Sequence, residues 1–211
     1  KSISNKKLKL ITVARYAKKK KGYDLVPIVA QKLLEKNIDF TWTIIGQNTT
    51  ELFKNEFINK NKNLFNILEN INNDNEKYFP HSSIIDRYIA SDLYVNLARI
   101  ESFGITFIEA MASGLPAISF NTKGANEIII NNYNGYLIYS KNIDDFVSKI
   151  KDIYNDKDIL KLTKINVFKS AEKYDLELVT KKLINIYKEM IIDFNSKKLS
   201  THEVKIQSHW L

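Results

Sequence analysis

Read for apolar periodicity, the chain alternates short β-prone runs with amphipathic stretches at helical spacing. Residues 8–14, 40–46, 64–68, 93–97, 115–120 and the segment after the Asn134-Gly135 turn to Ile138 read as strands. Between them fall helical patterns. Asp24 is the expected N-cap of a helix running to about Lys36, with Leu25, Ile28, Val29, Leu33 and Leu34 on one face. Residues 51–58 read as a second helix, and 82–91 as a third with Ile84, Ile85, Tyr88 and Ile89 inward. Residues 106–112 are rich in good helix formers and end at Ser113-Gly114. From Leu93 to Phe120 this gives strand, loop, helix and strand, the outline of a parallel βαβ crossover. Residues 69–78 are polar and aperiodic, a loop. Three helices follow the last strand, at 144–154, 158–173 and 176–194. Leu178, Val179, Leu183, Ile186, Tyr187 and Met190 form a stripe on the last, expected to be core or interdomain packing. Residues 197–211 read as a flexible tail.

Composition narrows the class without naming a function. The 211 residues are 44% hydrophobic and 27% charged, the balance of one large globular domain. No run approaches the length of a membrane span, and no signal peptide is visible. There is no Cys, so disulfide and thiol chemistry are excluded within this sequence. The net charge of +8 invites a nucleic-acid partner or an anionic membrane surface, with Lys18–Lys21 as the densest patch. No helix-turn-helix, zinc-finger or aromatic RNA-binding pattern accompanies it, and a solvated charged turn accounts for most of that run.

The chemistry concentrates in residues 96–120. Glu101 falls past the end of one strand, Glu109 lies in the first turns of the next helix, and Ser102-Phe103-Gly104 separates them. Gly104 permits positive φ or close approach to a ligand. The N–H groups of Gly104, Ile105 and Thr106 then face a crevice at an unsatisfied helix start, which favours an anion such as phosphate. In open α/β sheets that crevice, beyond the carboxyl ends of the strands, is where ligands bind. The cationic loop after the first strand, Arg15 to Gly22, is equally well placed for a diphosphate.

Glu101, Phe103-Gly104, Glu109-Ala110-Met111-Ala112, Gly114 and Pro116 together resemble the donor-site signature of retaining glycosyltransferases of the GT-B fold, of the family 4 or group 1 type. Arg15 and Lys21-Gly22 are similar to that family's Gly-Arg-Leu-x-x-x-Lys-Gly pattern, with Ala14 replacing its glycine. Gly124 and Glu127 match a Gly-Gly-x-Pro-Glu pattern in which Asn126 replaces proline. The resemblance implies a Rossmann-like, doubly wound parallel sheet of about six strands, with helices on both faces and extra C-terminal helices, as one half of a GT-B enzyme. It spans roughly Leu8 to Phe194, within a donor-binding domain expected at residues 1–196, and leaves out the N-terminal acceptor-binding domain. It further implies that Arg15 and Lys21 hold the pyrophosphate of a UDP- or GDP-linked sugar, and that Glu109 bonds the ribose hydroxyls. Glu101 would position the donor sugar and stabilise its oxocarbenium-like transition state, as the catalytic residue, while Phe103, Gly104 and Ile105 line the site. The nucleobase would meet Asn70 and Ile71, where Glu69 replaces the usual glycine. The nucleotide sugar enters as a substrate, so no cofactor is expected. The implied setting is surface polysaccharide, lipopolysaccharide or glycoprotein assembly, in the cytoplasm or at the inner face of an anionic membrane.

Metal ligation is not expected. Asp156-Lys157-Asp158 imitates an Asp-x-Asp metal motif but sits between two helices with no strand before it, so helix capping is the better reading. His81, His202 and His209 have no metal-ligand spacing, and His81 reads as a capping or surface residue. Three other readings stand beside the transferase: a sugar-nucleotide epimerase of the same architecture, a binding-only homologue, and a nucleic-acid binder centred on Lys18–Lys21.

Overall fold

The computed structural model describes residues 7–69 and 80–196. In chain order the elements are β1 (Leu8–Val13), α1 (Val26–Glu35), β2 (Phe40–Ile45), α2 (Glu56–Lys60), β3 (Phe65–Leu68), α3 (Ser82–Ile89) and β4 (Leu93–Asn96). There follow α4 (Ile105–Ala112), β5 (Ala117–Phe120), α5 (Lys123–Ile128), β6 (Gly135–Ile138), α6 (Ile143–Asn155), α7 (Lys157–Glu172) and α8 (Leu176–Ser196). The chain divides into two compact units, residues 1–170 and 171–211.

The first unit is built on a six-stranded sheet in the order β3-β2-β1-β4-β5-β6, with each adjoining pair parallel. Parallel strands need crossovers, and right-handed crossovers running outward from the centre in opposite directions put their helices on opposite faces. The alternation along β4 reflects this. Leu93 and Val95 join the main core with Val29 and Leu33 of α1 and Phe146 and Ile150 of α6. Tyr94 turns the other way, edge-on to Phe107 of α4 at 5.6 Å and to Tyr88 of α3 at 6.0 Å. The sheet is therefore buried on both faces, as its nearly continuous apolar strands require. Its winding reverses between β1 and β4, which pair through Leu10 with Leu93 and Ile11 with Tyr94.

Several expected boundaries move for local reasons. Asp24 does not cap α1; it lies in a 3-10 turn, Tyr23–Leu25, that precedes the helix. The predicted second helix is split, a 3-10 segment Thr49–Lys54 being followed by α2, whose N-cap Asn55 accepts from the Ile58 N–H. Ile28 and Leu34 of α1 and Ile89 of α3 are exposed, not core, because these helices bury narrower stripes than their sequences offer. His81 stands at the N-cap position of α3 but is buried and makes no side-chain cap. Asp156 caps α7 as expected, its Oδ1 accepting from the Asp158 N–H at 3.0 Å.

In the second unit, α8 carries the apolar stripe read from the sequence. Leu178, Val179, Leu183, Tyr187 and Met190 are exposed on it, which corrects the core half of the expectation and leaves interdomain packing as its other half. The helix is capped by Asp175, which accepts from the Glu177 and Leu178 N–H groups. No helix among the described residues is long and apolar enough to cross a membrane.

Candidate functional site

Because β1 and β4 are neighbours and parallel, the loops leaving their carboxyl ends rise side by side where the winding reverses. Arg15, Lys21, Glu101, Phe103 and Gly104 all lie on these two loops, and Ile105 and Glu109 on the helix entered from the second. Asn70 and Ile71 lie outside the described residues.

The loops touch closely. A Cβ built on Gly22 would stand 1.9 Å from the Leu97 carbonyl oxygen, and Gly22 has φ of 71°, so both space and conformation require glycine there. One residue earlier, the Lys21 ammonium lies 2.7 Å from Glu101 Oε2. The pair is largely covered, with the two side chains 20% and 11% exposed. The Glu101 carbonyl accepts from the Gly124 N–H at 2.9 Å, which fixes the second loop to the start of α5. Arg15 is exposed just past the end of β1, and no ion pair holds its guanidinium among the described residues.

Gly104 is the N-cap of α4, with φ of 87°, and a Cβ there would strike the Phe107 ring at 2.4 Å. A left-handed cap turns the chain sharply, so the first N–H groups of α4 open toward the crevice without intrahelical acceptors. Phe103 and Ile105 are exposed beside them. Glu109 reaches back from the second turn of α4 and accepts a hydrogen bond from the Tyr88 hydroxyl at 3.0 Å. Burial raises the Glu109 carboxyl above its ordinary value, and the Tyr88 hydrogen bond opposes that rise. Burial, with Tyr94 and Glu109 nearby, raises the Tyr88 phenol in turn, so it remains a donor. Tyr94 is likewise raised, first by burial, and donates to the Thr106 hydroxyl at 2.7 Å. Glu109 thus rests on a floor of neutral tyrosines.

A cavity of about 650 Å³ opens beside Glu101, lined by Arg99, Ile100, Phe120, Thr122, Lys123 and Lys141 among others. Among the described residues no three acidic, His or Cys side chains gather as a metal site would require. The chemical capacity is that of an anion grip, made of two loop cations and a helix start, with two carboxylates able to accept hydrogen bonds from hydroxyl groups.

The sequence model described as "Glycosyl transferases group 1" matches residues 1–170. The chain belongs to this family. The GtfA subunit of the UDP-N-acetylglucosamine–peptide N-acetylglucosaminyltransferase of Streptococcus pneumoniae is 28% identical over 198 residues, covering 90% of this chain and 36% of its own length. A glycosyltransferase structure from Rickettsia africae superposes with a TM-score of 0.73 at 25% identity, over 88% of this chain and 48% of that one. Anabaena HepE, solved with UDP and glucose, gives a TM-score of 0.71 at 16% identity, over 87% and 48% respectively, a likeness of fold. The group 1 chain described here thus has the fold of one half of a GT-B glycosyltransferase, and it spans less than half the length of these relatives.

Two groups that the structure places beside Glu109 and Glu101 escape a sequence reading. Tyr88 looked like one more apolar position of α3, and its hydroxyl gained meaning only when α4 was packed beside it. Arg99 carried a faint signal, a cation in the loop two positions before Glu101, but its partners are remote in sequence.

Proposed function

We propose that this chain is the donor-binding half of a retaining glycosyltransferase that moves a sugar from a nucleoside diphosphate to an acceptor. The observation that carries the reading is the meeting of Lys21, Glu101 and the α4 start at the point where the sheet reverses its winding. The diphosphate lies across the first N–H groups of α4, with Lys21 and Arg15 on its other side. As the glycosidic bond breaks, negative charge grows on the leaving diphosphate, and these fixed donors and cations stabilise it in place of a metal. Glu109, held by Tyr88, accepts from the ribose diol. Glu101 faces the sugar, orients its hydroxyls and stabilises positive charge at the anomeric carbon. The cavity beside Glu101 provides room for the sugar ring. Retention follows from front-face attack guided by the leaving phosphate. The acceptor and any further catalytic group come from an N-terminal acceptor-binding domain, in surface polysaccharide, lipopolysaccharide or glycoprotein assembly at the inner face of a membrane.

Titration calorimetry with UDP- and GDP-sugars tests this. Wild type binds one of them with a dissociation constant below about 1 mM, and Glu109→Ala weakens it at least tenfold. Absence of binding by wild type, or an unchanged Glu109→Ala, would overturn the reading.

A further inference from the structure

Asp24 has no part in the reading above and Arg99 enters it only as a wall of the cavity beside Glu101, yet together they join the two loops that form the grip. The Arg99 guanidinium forks onto the Asp24 carboxylate, with Nη1 2.7 Å from Oδ1 and Nη2 3.0 Å from Oδ2. The same Nη1 donates to the Lys19 carbonyl at 2.8 Å, and the Arg99 backbone N–H donates to the Lys20 carbonyl at 3.0 Å. Lys19 Nζ completes the cluster on Asp24 Oδ2 at 3.0 Å. Burial alone would raise the Asp24 carboxyl; the hydrogen bonds from Arg99 and Lys19 outweigh it and hold it low, so it stays ionised.

These contacts fall on either side of the reacting groups. Arg99 grips the carbonyls of Lys19 and Lys20, and Lys21 comes next. Two residues after Arg99 stands Glu101, the partner of Lys21. Each of the two functional charges is therefore carried on backbone that the fork holds in register with the other. A bidentate guanidinium–carboxylate pair fixes distance and angle together, which a single ammonium contact does not. The Arg99 side chain is 40% exposed, and ion pairs so open to water contribute little to global stability. Its geometry is worth more than its energy.

We propose that Asp24 and Arg99 are positioning residues for the diphosphate grip, setting Lys21 at the depth and angle from which it reaches a phosphate while facing Glu101. The proposal rests on the donor-site reading. It makes a prediction opposite in sign to simple electrostatics. Asp24→Asn removes a negative charge from beside the cationic loop, which by Coulomb's law alone should tighten binding of an anion. If the fork positions Lys21, the same change weakens it.

The test uses calorimetry on this chain with UDP and GDP, each compared with its monophosphate, and thermal melting to confirm folding. For whichever diphosphate binds wild type, Asp24→Asn and Arg99→Ala should each weaken binding by about tenfold, and the monophosphate by less than about threefold. Arg99→Lys, which keeps the charge and loses the fork, should fall between wild type and Arg99→Ala. The effect of Lys21→Ala should shrink in the Arg99→Ala background, as coupled positions require. Equal or tighter diphosphate binding by a folded Asp24→Asn, or equal losses for diphosphate and monophosphate, overturns the positioning role and leaves the donor site standing. Wild type that binds neither nucleotide overturns both.

Discussion

Glu109 and Tyr88 place opposed effects on one carboxylate. Burial raises the Glu109 carboxyl, so the folded protein holds that proton more tightly than the unfolded chain does. The group's contribution to stability therefore falls as pH rises from the ordinary carboxylate value through the raised one, and at neutral pH its ionised form is a net cost. Nucleotide binding, if Glu109 accepts from ribose, has the opposite dependence and fails on acidification through the same window. Tyr88→Phe removes a hydrogen bond that favours the carboxylate. It should move the acid midpoint of nucleotide binding upward and weaken binding at neutral pH about tenfold, as loss of a hydrogen bond to a charged group does. Glu109→Gln should abolish the acid midpoint in that range. Calorimetry with a UDP- or GDP-sugar, whose diphosphate does not itself titrate there, from the ordinary carboxylate range up to neutral pH reads both, and a midpoint that Tyr88→Phe leaves in place would remove Tyr88 from the site.

At the scale of elements, the crevice depends on how firmly β1 is tied to its neighbours. Beside the ladder, one buried hydroxyl serves both sides: Thr12 Oγ1 donates to the Val95 carbonyl of β4 at 2.6 Å and accepts from the Trp42 indole N–H of β2 at 3.0 Å. Trp42 is fully buried, so no water replaces a lost partner. Thr12→Val keeps the shape but leaves both groups unsatisfied, and should lower unfolding free energy by about 2 kcal/mol in urea titrations. A change within about 0.5 kcal/mol would mean that the strands are held by the ladder and packing alone. The same pattern extends to the loops above, where Gly22 against Leu97 and Gly124 against Glu101 replace side-chain packing with backbone contact.

For the whole molecule, the donor-binding reading proposed above sets what the chain should do in solution. It should bind nucleotide, as titration calorimetry reads. Its grip should not need a divalent ion, since cations and amides supply the charge; excess EDTA should change the nucleotide dissociation constant less than twofold, and a larger loss would call for a metal. The net charge of +8 adds a long-range attraction for any anion, which salt should screen in both wild type and Glu109→Ala.

The sequence by itself determined what is local. Strand and helix periodicity, the glycine that opens α4 with φ of 87° and the spacing of Glu101 and Glu109 all depend on neighbours within a few turns, and each was legible before the chain was folded. The structure decided what is remote. Lys21 and Glu101 are 80 positions apart, Arg99 and Asp24 75, and no periodicity encodes such meetings. Asp24 shows the difference: beside a helix it read as a cap, because capping is the local use of an aspartate, but pairing of β1 with β4 brought a guanidinium to it instead. The stripe on α8 shows the same limit from another side. An apolar face states that a surface favours burial, and only tertiary packing decides whether anything within the same unit covers it.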